Sequence, residues 1–126
     1  MITLGLDPSL TGFGWCVHNS DVVGPGRILG RGHWATSSKD IFVARYMGIR
    51  GMLVDLLGRY PLVGCVGVES PPFGELWSEG LYGLFLYVNE ALYACRKDVV
   101  FFDPKTLKFL VKMDGKGTSQ RSKAFH

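Results

Sequence analysis

Two carboxylates in this chain stand at the ends of short apolar runs. Asp7 closes Ile2-Thr3-Leu4-Gly5-Leu6-Asp7, and Glu69 closes Val63-Gly64-Cys65-Val66-Gly67-Val68-Glu69. A strand that delivers an acid at its last residue sets a negative charge at the rim of a sheet. There a cation offsets the desolvation that a lone carboxylate would suffer. If the two strands are neighbours, Asp7 and Glu69 together offer the oxygen ligands preferred by a hard divalent ion, Mg²⁺ or Mn²⁺, and such centres hydrolyse phosphodiesters. Taken singly, each acid also suits a turn cap, because Asp7 precedes Pro8-Ser9 and Glu69 precedes Ser70-Pro71-Pro72. Their matched placement favours the metal reading.

The elements that must position these acids follow from apolar periodicity. Ile2 to Asp7, Phe13 to His18 and Ile28 to Thr36 are three strand-like runs separated by turn-rich segments, which predicts an antiparallel meander. The period then changes. Phe42, Tyr46, Ile49, Leu53, Leu56 and Tyr60 make one apolar helix stripe, opened by Ser38 or Asp40 and ended by Pro61. The run from Val63 to Glu69 does not alternate and is expected to be a central strand covered on both faces. A second helix is predicted from about Leu76 to Cys95, with Leu81, Leu84, Phe85, Val88, Ala91, Leu92 and Cys95 as its core stripe. Tyr82, Leu86 and Tyr87 leave it apolar nearly all round, so it needs a further partner. Val99 to Phe102 is a fifth strand, and Asp103-Pro104 opens a third helix with the acid as cap. That order describes an α/β mixed sheet whose last strands are parallel.

Composition sets the class. At 126 residues, 47% hydrophobic and 20% charged, the chain reads as one globular domain over 1–126. Its three cysteines, Cys16, Cys65 and Cys95, lack metal-ligand spacing and lie in apolar runs, as expected of buried, reduced thiols in a cytoplasmic protein. No membrane partner is expected. Charge is uneven: residues 1–95 hold six Lys/Arg against eight Asp/Glu, and residues 96–126 hold eight against three, for a net +3. Lys105, Lys108 and Lys112 recur at helical spacing, and Lys116, Arg121 and Lys123 follow in a glycine-flanked tail. These six cations are candidate phosphate contacts, with a solvated polar face as the plain alternative.

The run Leu4-Gly5-Leu6-Asp7-Pro8-Ser9-Leu10-Thr11-Gly12-Phe13-Gly14, the Val66-Gly67-Val68-Glu69 strand end and the closing Gly115-Lys116-Gly117-Thr118-Ser119-Gln120-Arg121-Ser122-Lys123 together resemble the RuvC-type Holliday-junction resolvases. The resemblance implies a ribonuclease-H-like mixed five-stranded sheet of order 3-2-1-4-5 flanked by helices. It also implies a dimeric, Mg²⁺- or Mn²⁺-dependent endonuclease that nicks four-way DNA junctions. Asp7 and Glu69 match the first two catalytic acids, and Phe73 matches the aromatic residue placed at the open centre of the junction. Ser9 stands where the family usually has glycine. Two further acids are taken in that family from a C-terminal helix, so the chain is expected to lack that catalytic helix.

Branched DNA and a second copy of the chain are thus the expected partners, the dimer seam lying on the Tyr82 and Tyr87 face of the second helix. Other residues are read as structural: His18 and His33 have no ligand spacing, and Trp15, Trp34 and Trp77 suit core or interface positions. Two readings from other classes stand beside the nuclease. One is a non-catalytic junction-binding module; the other is an actin-like ATPase fragment, which the size and the basic tail disfavour.

Overall fold

The computed structural model describes residues 1–70 and 79–102. Five strands, β1 (Ile2–Asp7), β2 (Phe13–Asn19), β3 (Ile28–Trp34), β4 (Cys65–Glu69) and β5 (Asp98–Phe102), form one sheet of order β3-β2-β1-β4-β5. The first three make the predicted antiparallel meander, and β1–β4 and β4–β5 are parallel. A short 3-10 turn, Pro25–Arg27, leads into β3 behind Gly24, whose φ of 92° is one that side chains with a Cβ rarely adopt. An irregularity at Val17/His18 shifts the β2–β3 register.

Two helices, α1 (Phe42–Arg59) and α2 (Glu79–Ala94), supply the core partners. Leu4 and Leu6 of β1, Phe13 and Val17 of β2, and Val66 and Val68 of β4 are buried in one cluster with Ile49, Leu53 and Leu56 of α1 and Leu84, Val88, Ala91 and Leu92 of α2. Strand alternation explains the choice: every second residue faces this layer. The intervening residues of β4, Cys65, Gly67 and Glu69, are only partly buried and line an open groove instead. The expectation that β4 is covered on both faces is therefore corrected among the described residues.

Other boundaries differ in instructive ways. The N-cap of α1 is Ile41, with no side-chain cap hydrogen bond, so neither Ser38 nor Asp40 opens the helix. Helix α1 does end before Pro61, with the Tyr60 N–H donating to the Leu56 carbonyl at 3.0 Å. Strand β3 stops at Trp34 because Thr36 turns away to the β1–β2 connection. Cys16, Cys65 and Cys95 are free thiols, but half-buried rather than sealed in the core. No described helix is long and apolar enough to cross a membrane.

The helices approach closely at one point. A Cβ on Gly83 would stand 2.5 Å from the Tyr46 hydroxyl and 2.6 Å from its ring carbon Cζ. Tyr46 is also pinned, stacked on Phe42 at 6.0 Å and against Tyr87 at 5.1 Å. Tyr87 thus faces α1. The outward stripe of α2 comprises Tyr82, Leu86 and Tyr93, 55%, 52% and 85% exposed, so Tyr82 and Tyr87 do not share one surface. At the helix surface Arg50 donates to Glu90 through Nε at 2.7 Å and Nη2 at 3.3 Å, which holds the Glu90 carboxyl below its usual range.

His18 meets the Thr3 hydroxyl at 3.0–3.1 Å, and burial, then Arg27 and the N-terminal amine, push its pKa below the usual value near 6.5. The folded chain then binds fewer protons than the unfolded chain around that pH, so stability rises with pH there. Thermal midpoints are expected to fall as pH drops from about 7 to 5, with a smaller fall in His18→Gln. Separately, Gly83→Ala is expected to cost about 1–3 kcal/mol in denaturant unfolding, because the Tyr46 ring has no room to retreat.

Candidate active site

The site is set by the pairing of β1 with β4. Leu4 lies across from Val66 and Leu6 from Val68. One step further along both parallel strands come Asp7 and Glu69, the last residues of each. Because Leu6 and Val68 point into the core, alternation turns both acids to the opposite face. Asp7 is exposed and Glu69 half-buried, and both line the groove on that face.

Hydrogen bonds hold the chain on either side of the acids. After Asp7, the Ser9 hydroxyl accepts from the Thr11 and Gly12 N–H groups at 3.2 Å, shaping the turn into β2. The Leu10 carbonyl accepts from both the N–H and the hydroxyl of Thr36, at 3.2 and 2.8 Å. Arg45, 8% exposed, donates from Nε to that same hydroxyl at 2.7 Å and lies over the Phe42 ring. A buried cation at the start of α1 therefore anchors the loop that follows the first acid. After Glu69, the Ser70 N–H and hydroxyl both donate to the Phe102 carbonyl, at 2.7 and 3.2 Å, fixing the end of β4 to β5.

Ladder partners extend the acid pair into a row across all five strands. Asp7 is opposite Gly14, Gly14 is opposite His33, and Glu69 is opposite Phe102. His33, Gly14, Asp7, Glu69 and Phe102 all line the same groove of about 780 Å³. Beneath them, Arg31 brings a guanidinium to the β3 side of the groove, beside Cys16. Burial raises the Cys16 pKa, against a smaller opposing effect of Arg31, and keeps it a thiol.

Asp7 and Glu69 are brought together; the other sequence-derived candidates are not described. Phe73, Lys105, Lys108, Lys112, Lys116, Arg121 and Lys123, and with them Trp77 and Asp103, lie outside the described residues. Trp15 and Trp34 pack against the core, with ring centroids 6.0 Å apart. Among the described residues no group of three or more His, Cys, Asp or Glu side chains stands ready to hold a metal ion. Sequence reading missed Arg45, Arg31 and the placement of His33. The two-residue alternation of the meander was the signal that could have put His33 on the face of Asp7.

Solved structures share this architecture. The chain is similar to RuvC of Thermus thermophilus, with a TM-score of 0.75 and 22% identity over 96% of this chain and 75% of that one. It is similar to the same protein in complex with Holliday junction substrate, with a TM-score of 0.79 and 20% identity over 92% and 73%. The fold is ribonuclease-H-like. A more distant likeness, with a TM-score of 0.51 and 15% identity over 98% and 62%, links the chain to the human cytomegalovirus terminase nuclease domain. No family model and no curated protein matches the sequence.

Replacing Arg45 by Met keeps an unbranched side chain at this buried position and removes both the donor to Thr36 and the guanidinium over the Phe42 ring. Loss of about 1–3 kcal/mol in urea unfolding is expected, as for hydrogen bonds from charged groups. Amide exchange at Thr36 should also quicken while the core of α1 stays protected.

Proposed function

We propose that this chain is a metal-dependent endonuclease of the RuvC type that nicks four-way DNA junctions. The observation that carries the reading is the pair of carboxylates at the ends of adjacent, parallel strands, on one groove-lining face of a ribonuclease-H-like sheet. The likeness to a RuvC bound to Holliday junction substrate supports branched DNA as the partner.

Asp7 and Glu69 fit Mg²⁺ or Mn²⁺: both are oxygen donors, they converge from neighbouring strands, and exposure at the rim leaves room for water and a phosphate oxygen. Divalent ions there supply charge neutralisation and an activated water. The protein's own share is to hold the two acids apart from the core and at one height. Their carboxylates repel the phosphate backbone unless cations intervene, so substrate binding and cation binding are coupled.

Binding is assigned to the basic segment Lys105, Lys108, Lys112, Lys116, Arg121 and Lys123, with Phe73 at the junction centre. Such phosphate contacts are salt-sensitive and indifferent to sequence. A homodimer fits an enzyme that addresses two strands related by a two-fold axis, and its seam is assigned to the outward stripe of α2, Tyr82, Leu86 and Tyr93.

The test is a nicking assay on a four-way junction with Mg²⁺ or Mn²⁺, beside a linear duplex of the same sequence. Cutting confined to the junction is expected, reduced about 100-fold or more in Asp7→Asn and in Glu69→Gln, with junction affinity retained. Persistent cutting by Asp7→Asn overturns the site assignment. Binding of the junction without cutting turns the reading to a non-catalytic junction-binding module.

A further inference from the structure

Strand β3 turns a guanidinium toward the groove because its other face is already filled. A Cβ on Gly32 would stand 3.0 Å from the Trp15 indole, and one on Gly30 would stand 3.3 Å from Tyr60 Cζ and 3.4 Å from Trp15 Cζ3. With those rings packed on the helix side, alternation directs Arg31, between the two glycines, to the opposite face, where it lies across from Cys16 and is exposed. Among the described residues it is the single Lys or Arg that lines the groove. It also has no protein anion to serve. Arg45, Arg50, Arg59 and Lys97 each meet a protein oxygen, at 2.7, 2.7, 3.4 and 2.7 Å, whereas Arg31 makes no hydrogen bond or ion pair among the described residues.

The floor between this cation and the first acid is low. From Arg31 the row runs through Cys16 to Gly5, and the next row runs from Gly14 to Asp7. A Cβ on Gly5 would meet only the Cys16 carbonyl oxygen, at 4.0 Å. The backbone diagonal from Arg31 to Asp7 spans two strand spacings of about 4.8 Å and two residue steps of about 3.4 Å. A long side chain on β3 crosses part of that diagonal, and the rest is open.

We propose that Arg31 is a phosphate clamp for the DNA strand that crosses the groove, gripping a backbone phosphate beside the one that Asp7 and Glu69 address. This rests on the reading of branched DNA as the ligand given above. A planar guanidinium takes two oxygens of one phosphate and keeps its charge at every working pH. It offsets the repulsion between the strand and the two carboxylates on the same face. Because the sheet fixes β3 against β2 and β2 against β1, the grip lies at a set distance from the acids, so it selects which link reaches them as well as adding affinity.

The test is junction binding, with a neutral methylphosphonate link scanned one position at a time along the strands near the crossover. The unsubstituted protein is expected to lose affinity about tenfold at one link of each strand it engages, as for one charge-assisted phosphate contact. Arg31→Gln is expected to lose the same factor on the unmodified junction and nothing further at that link, and its plot of log affinity against log salt is expected to be shallower by about 0.9. Arg31→Lys, which keeps a point charge, is expected to restore the salt slope. Arg31 is exposed and unpaired among the described residues, so both variants are expected to keep the thermal midpoint. Losses that add at every link, or an unchanged salt slope in Arg31→Gln, overturn the proposal. A shared loss in a protein that cuts no link supports the clamp and overturns the nuclease reading alone. Failure of the unsubstituted protein to bind the junction overturns both.

Discussion

The whole arrangement hangs on the register of β1 against β4. Leu4 opposite Val66 and Leu6 opposite Val68 are the pairs that the helix layer buries. Each such aliphatic side chain contributes about 1.5–3 kcal/mol when removed from water, so burial of the four holds the register. A slip of one residue in either strand would turn its acid toward the core and both of its buried aliphatic residues into the groove. Hydrophobic burial thus sets Asp7 and Glu69 side by side at the rim of the groove.

The two faces of the sheet accordingly do different work. On the helix side, the close approach of Gly83 to the Tyr46 ring and the Arg50–Glu90 bridge fasten α1 to α2 over a dry cluster. On the groove side, small residues predominate near the sheet centre: Gly5 pairs with Gly67, and Gly14 lies beside Asp7. The loops beyond the acids are fastened from the helix side and from the neighbouring strand, by Arg45 through Thr36 to Leu10 and by Phe102 to Ser70. The fastening is therefore concentrated behind the carboxylates, and access in front of them.

Much of this was legible in the amino-acid order because the signals are local and strong. Apolar runs ending in Asp7 and Glu69 and the turn residues between the strands fix the meander and the two parallel neighbours, and the α1 stripe runs through Tyr46, Ile49, Leu53 and Leu56, all buried. What was not legible depends on partners distant in sequence. Tyr87 faces inward because Tyr46 of α1 is there to receive it. Ile41 caps α1 while Asp40, one of the two expected caps, is held in a turn whose N–H donates to the Ser37 carbonyl. The non-alternating run before Glu69 reads as a doubly covered strand, yet Cys65 and Gly67 are simply small enough to suit an open face. Alternation could have put His33 on the Asp7 face, but its place in the same row, with Gly14 between them, emerges only after the β1–β2 and β2–β3 registers are both known.

Likeness to RuvC at 20–22% identity extends to the scaffold. It does not choose the chemistry, because one scaffold serves many sites. Particular side chains do, and the sheet decides which of them meet: the core-directed Leu6 and Val68 turn Asp7 and Glu69 together toward the groove, so any change in the β1–β4 register would separate the two acids before it disturbed the scaffold around them.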